Sequence, residues 1–379
     1  APAVTSVAVP VNSTYVTGEP LNFTIHFDEP VFVYGLPQIA LTVGSSTVYA
    51  SYVSGSGSSA VTFRHTVQSG ENDADGITVG TLGLNGGALK DAAANNATLT
   101  LNSVGSTSSV LVDAAAPTVT SLAVPAAATY IAGQTLNFTV NFSEAVMANT
   151  SGGTPRLALT LGSSTVYASY VSGSGSTALN FSYTVQAGDN DSDGISVGTL
   201  SANGGTLKDA AGNDATLTLN SIASTSAVLV DTSAPVVSSV SVPTNGTYIT
   251  GQSLAFIVNF SKAVTVDSSG GTPYLALTVG SSAVHANYVS GSGTTTLIFS
   301  YPIQAGDNDS DGVAVGVLSA NGGTLKDGAG NNATLTLNSV GSTSGVLVDT
   351  TAPAVTSVAV PVNSTYVTGQ NLDFTIHFD

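Results

Sequence analysis

The chain of 379 residues carries 23 acidic against 6 basic side chains, a formal net charge of −17, with 42 % hydrophobic and only 8 % charged residues. A surface this acidic repels phosphate and anionic lipid, so it argues against nucleic acid and membrane surfaces as partners and favours divalent cations. The absence of Cys excludes a disulfide framework, a thiolate zinc site and thiol catalysis, and no apolar run reaches the roughly 18 residues a spanning helix needs. Gly, Ser, Thr, Ala, Val and Asn dominate while Trp is absent, a strand-and-turn composition. The chain opens on Ala1 without a signal peptide and reads as a segment of something longer.

In chain order, one pattern recurs. Ala1-Pro2 opens a unit whose start returns at Ala116-Pro117, Ala234-Pro235 and Ala352-Pro353, at spacings of 115, 118 and 118 residues. The expected domains are therefore 1–115, 116–233 and 234–351, with 352–379 as the first two strands of a fourth. Each unit begins with a run such as VTSVAVP, followed by an L-x-F-T-(I/V)-x-F segment. In LNFTVNFSEAV, Leu136, Phe138, Val140 and Phe142 alternate with polar residues, the period of a half-buried strand. There follow LALTLGSSTVYASYVSGSG, ALNFSYTVQAGDNDSDG, the stretch SANGGTLKDAAGNDATLTLN and a closing VLVD, with Gly-Ser and Asn-Gly pairs at the turns. About seven strands per unit of this length predict an all-β fold: tandem immunoglobulin-like β-sandwich domains arranged as beads on a string. The register after the acidic loop stays open, because GISVGTLSANGGTLKDAAGNDATLTLN could host its strands in more than one way.

The segment Phe142-Ser143-Glu144, the ASYVSGSGS turn, the QAGDNDSDG loop, the LKDAAGN turn and the VDTSAP linker together resemble the bacterial immunoglobulin-like repeats that build the stalks of giant surface adhesins and biofilm proteins. The likeness covers the whole chain in order. It implies a secreted, extracellular, non-enzymatic and load-bearing segment, whose partners are neighbouring repeats or copies of itself. It does not imply a cell-surface or matrix ligand.

Acidic residues gather in AGDNDSDG, at 187–194 and 305–312, and in the near copy SGENDADG at 69–76. Asp189, Asp191 and Asp193 alternate and Gly194 follows, as do Asp307, Asp309, Asp311 and Gly312, and Glu71, Asp73, Asp75 and Gly76. That spacing matches positions 1, 3, 5 and 6 of a calcium loop, and hard oxygen ligands at this density suit Ca²⁺. The acidic residue of position 12 is replaced by Leu82, Leu200 or Leu318, so the loop is not an EF-hand and must borrow ligands. Strands running alternately up and down would put the loop beside the linker residue, Asp113, Asp231 or Asp349, at the exit of each unit. Glu144 and the KDAAGN turn would lie at the opposite, leading pole. The first junction would then gather Glu71, Asp73, Asp75, Asp113 and Glu144, and the second Asp189, Asp191, Asp193 and Asp231. Structural Ca²⁺ is expected at these joints, with fewer or weaker ions at the second, where Lys262 stands in place of Glu144. Ordinary turns favour the same Asp, Asn, Ser and Gly residues and form the alternative reading.

Other constellations read as structural. His26, His65, His285 and His377 lie in strand-like runs with no recurring nucleophile beside them, so no enzyme is expected. Lys90, Lys208 and Lys326 recur in LKD as surface turn residues rather than isopeptide donors. Residues 1–28 and 352–379 differ only where Glu19, Pro20 and Asn22 stand against Gln370, Asn371 and Asp373, so a filament joined head to tail by strand complementation is one alternative. A glycan- or protein-binding module is another, its candidates being Phe32, Tyr34 and Leu36.

Overall fold

The computed structural model describes residues 1–379 and is all-β, with no helix. It divides into two compact units, Ala1–Val230 and Asp231–Asp379. The first unit holds two copies of one sandwich; the second holds a third copy and a two-stranded hairpin.

In the first copy the strands are β1 (Val4–Ala8), β2 (Ser13–Tyr15), β3 (Pro20–Tyr34), β4 (Gln38–Val43), β5 (Ser46–Ser54), β6 (Ser58–Thr66), β7 (Asn72–Asp73), β8 (Thr78–Gly83), β9 (Ala88–Lys90) and β10 (Val110–Asp113). Seven form one sheet in the order β1-β3-β6-β5-β4-β8, with β9 added beside β3, and β2-β10-β7 form a second sheet of three. The sequence pattern leads to about seven strands, and seven of the ten are four residues or longer. The others, β2, β7 and β9, are two or three residues long and form from turn residues that pair with a longer strand. Strand β2, for example, pairs in parallel with β10, nearly a hundred residues later.

The alternating residues of β3 build the core. Leu21, Phe23, Ile25 and Phe27 are at most 4 % exposed, as are Leu136, Phe138, Val140 and Phe142 in the second copy and Leu254, Phe256, Val258 and Phe260 in the third. Val110 and Val112 of the small sheet join the same cluster, so the two sheets share one interior. Each buried Phe stabilises by roughly 1.5–3 kcal/mol relative to exposure.

Strand β3 and its counterparts, Thr135–Asn149 and Ser253–Asp267, each run 15 residues because each strand changes partner midway. Thr135–Asn141 pairs with Ser176–Thr184, the register then shifts between Asn141 and Val146, and Met147–Asn149 pairs with Thr206–Lys208. Such a bulge re-aims the side chains it carries. Here it carries Ser143 and Glu144, and it lies next to the turn that begins at Asp209. Ser143 also fastens the start of the copy: its backbone N–H donates to Thr118 O at 2.8 Å and its Oγ accepts from Thr118 N at 3.0 Å.

In the hairpin, Val355–Ala359 pairs with Thr375–Phe378. Its Val355, Val358, Phe374, Ile376 and Phe378 are 50–61 % exposed, whereas their sequence twins in the first copy are core residues.

Candidate metal centre

The acidic loops are built from inside by one aspartate each. Asp73 is 5 % exposed; its Oδ2 accepts from Gly44 N and its Oδ1 from Gly76 N, both at 2.7 Å. Asp191 repeats this with Gly162 and Gly194 at 2.7 Å, and Asp309 with Gly280 at 2.6 Å and Gly312 at 2.7 Å. Both glycine positions have positive φ, and a Cβ on Gly44 would lie 2.4 Å from Asn72 O, which explains why Gly stands there. The middle aspartate therefore ties the β4–β5 turn to its own loop. Its neighbours point elsewhere. Glu71 accepts from Gln68 N at 2.9 Å and meets His65 Nε2 at 2.9 Å, while Asp189 and Asp307 accept from Tyr183 and Tyr301 Oη at 2.7 and 2.8 Å. Asp75, Asp193 and Asp311 are exposed. The alternating carboxylates thus have separate surroundings rather than one centre.

The loop and the linker do lie together. In the first unit, Ala114 N donates to Glu71 O and Gly70 N to Ala114 O, both at 2.9 Å, and Asp113 faces Asn72 across the small sheet. On its other side the linker is held by the second copy: Asn213 Nδ2 donates to Asp113 O at 2.9 Å.

At this point three carboxylates converge. Ligand oxygens of Asp113, Glu144 and Asp209 lie within 4.8 Å of one another, the first two half-buried and Asp209 only 5 % exposed. Asp209 is preorganised, since its Oδ1 accepts from Gly212 N at 2.7 Å and Asn213 N at 2.8 Å and its Oδ2 from Asn213 Nδ2 at 2.8 Å. Glu144 has no such support. Its carboxyl is pushed above the ordinary range by burial, then by the negative charges of Asp113 and Asp209. The nearby Lys208 ammonium is engaged with Asp214 Oδ1 at 2.8 Å and Gly212 O at 3.1 Å. The sequence pairs Asp113 with Glu144 but does not single out Asp209, which reads as a turn residue in LKDAAGN. The available signal is an Asp that recurs once per repeat with Asn four residues on, as in Asp91/Asn95, Asp209/Asn213 and Asp327/Asn331.

The second unit builds the same place with different charge. Asn331 Nδ2 donates to Asp231 O at 2.9 Å, and the Asp327 carboxylate accepts from Gly330 N, Asn331 N and Asn331 Nδ2. Lys262 stands where Glu144 stands, and its ammonium reaches both oxygens of Asp231 at 2.8 Å, Ser233 O at 2.7 Å and Asp327 Oδ2 at 3.6 Å. Burial raises the Asp327 carboxyl, but its hydrogen bonds from Asn331 and Gly330 and the Lys262 charge outweigh that and bring it below the ordinary range. Asp349 is exposed and accepts from Thr351 N at 2.9 Å. Phe32, Tyr34 and Leu36 are 39, 57 and 62 % exposed.

No protein-family model matches the chain, and comparison with curated proteins gives no match. Among solved structures, it is similar to a tetra-tandem repeat in the extending region of a large adhesion protein, at 16 % identity and a TM-score of 0.24, covering 100 % of this chain and 88 % of that one. It is also similar to a marsupial T cell receptor (14 %, TM-score 0.18, 86 % and 96 % covered) and to the full extracellular region of plexin A4 (10 %, TM-score 0.18, 100 % and 29 % covered). Likenesses this distant say nothing of function.

Replacing Asp191 by Ala leaves two backbone donors without their acceptor and should destabilise by about 2–3 kcal/mol in urea unfolding. The loss should be the same in Ca²⁺ and in chelator; a loss seen only in Ca²⁺ would make the loop itself a metal site. A second check uses alkali. Burial and then the hydrogen bond to Asp189 push the Tyr183 phenol up to about 12, and burial and Asp307 do the same for Tyr301. A raised phenol pKa means the folded state holds the proton more tightly, so this contribution is complete below about pH 10 and is lost as pH rises through about 12. Tyrosinate absorbance should accordingly appear in two steps, the late one reduced by Y183F.

Proposed function

We propose that this chain is a non-enzymatic spacer segment of a large extracellular surface protein of the adhesin kind, and that Ca²⁺ stiffens its joint at Asp113, Glu144 and Asp209. The observation that carries the reading is the fastening of the linker. One sandwich is repeated, and the backbone leading into the second and third copies is held in the same way, by Asn213 on Asp113 O and Asn331 on Asp231 O. A repeated module with a fixed lead-in transmits position and tension without any chemistry of its own.

The donor set suits the ion. Three carboxylates supply hard oxygen, and Asp113 comes from the linker while Glu144 and Asp209 come from the second copy, so an ion held by all three ties the linker to the repeat it enters. Burial is the main reason the Glu144 carboxyl is raised, and a cation would relieve the repulsion from Asp113 and Asp209 that adds to it. The Lys262 ammonium among the matching groups of the third copy supports the view that this place takes positive charge.

Calcium titration calorimetry on the whole chain tests this. Wild type and D193N should bind Ca²⁺, whereas E144Q should bind at least tenfold more weakly and E144K should give no heat from this site. Undiminished binding by E144K would overturn the assignment.

A further inference from the structure

Two heads built on the same plan differ in the charge of one side chain among the three that converge. Asp113, Glu144 and Asp209 bring three negative charges together, and Asp231, Lys262 and Asp327 bring two negative charges around one positive one. The remaining framework is shared. Asn213 and Asn331 hold the linker carbonyls at 2.9 Å, and the bulge serines Ser143 and Ser261 each bond the strand that opens their copy, Ser261 N donating to Val236 O at 2.9 Å and Ser261 Oγ accepting from Val236 N at 3.1 Å.

Lys262 does more than neutralise. Its ammonium donates to both carboxylate oxygens of Asp231 and to Ser233 O in the linker, and the Asp327 carboxylate of the turn in its own copy stands 3.6 Å away as a second ionic partner. These are the partners a divalent cation would join: a linker carboxylate, a backbone carbonyl and the turn carboxylate. The Lys262 side chain is 33 % exposed and Asp327 only 4 %, so the pair is less screened than a free surface ion pair.

We infer that Lys262 is a built-in counterion, covalently supplied by the chain, that locks the head of the third copy without metal. Withdrawal of divalent cation then loosens the head of the second copy alone, and the chain carries one switchable and one permanent lead-in. The contrast between the two heads rests on the cation reading of Asp113, Glu144 and Asp209; the lock at Lys262 stands on its own bonds.

Hydrogen exchange read by mass spectrometry on the whole chain, in Ca²⁺ and in chelator, tests both parts separately. Peptides covering residues 113–118 should exchange at least several-fold faster in chelator, while those covering 231–236 should be the same in both media. K262M, which keeps most of the aliphatic stem, should speed exchange at 231–236 in both media, and K262R should restore protection. K262E should make 231–236 respond to Ca²⁺ as 113–118 does, and E144K should make 113–118 indifferent to it. Core peptides around Phe256 and Phe299 report whether each variant of the third copy remains folded. Unchanged exchange at 231–236 in folded K262M, or protection there that depends on Ca²⁺ in wild type, would overturn the lysine lock. A lack of response at 113–118 with K262M still loosening 231–236 would overturn the cation reading and leave the lock standing.

Discussion

A carboxylate taken even partly out of water must be met by positive charge or by N–H groups, and this requirement organises the chain. Asp73, Asp191 and Asp309 are met by glycine N–H groups and so close the acidic loops onto the β4–β5 turns. Asp91, Asp209 and Asp327 are met by the N–H and amide groups of Asn95, Asn213 and Asn331, and so shape three matching turns, of which those of the second and third copies hold the linkers. Asp231 is met by an ammonium. Glu144 is set apart because its raised carboxyl reflects burial and two negative neighbours with no hydrogen bond to offset them.

Much of the fold was legible because the interior of each sandwich is written with a period of two. Leu136, Phe138, Val140 and Phe142 alternate in the sequence and are all buried, and the same holds in the other copies. Strands such as Ser13–Tyr15 were not legible, since nothing local distinguishes them from loop and they exist through pairing with Val110–Val112. The partner change inside Thr135–Asn149 was hidden for a similar reason: a bulge depends on two different neighbouring strands, not on the run of residues that carries it.

The candidate site divides in the same way. The pairing of a linker Asp with Glu144 follows from counting strands and poles, and the structure puts Asp113 and Glu144 side by side. The spacing Asp189, Asp191, Asp193, Gly194 has two physical uses, wrapping a cation or capping a turn, and sequence spacing alone cannot separate them. Geometry separates the partners: Asp191 bonds Gly162 and Gly194, and Asp189 bonds Tyr183. A further sign lay in a difference between repeats, Lys262 against Glu144, and in the structure that lysine pairs with the linker carboxylate of Asp231.

The most direct measurement is a crystal structure of the chain grown with Ca²⁺, with the ion located by its anomalous scattering. The account predicts one ion at about 2.3–2.6 Å from carboxylate oxygens of Asp113, Glu144 and Asp209, and none beside Lys262. Ions held instead by Asp75, Asp193 and Asp311, with the three-carboxylate site vacant, would contradict it.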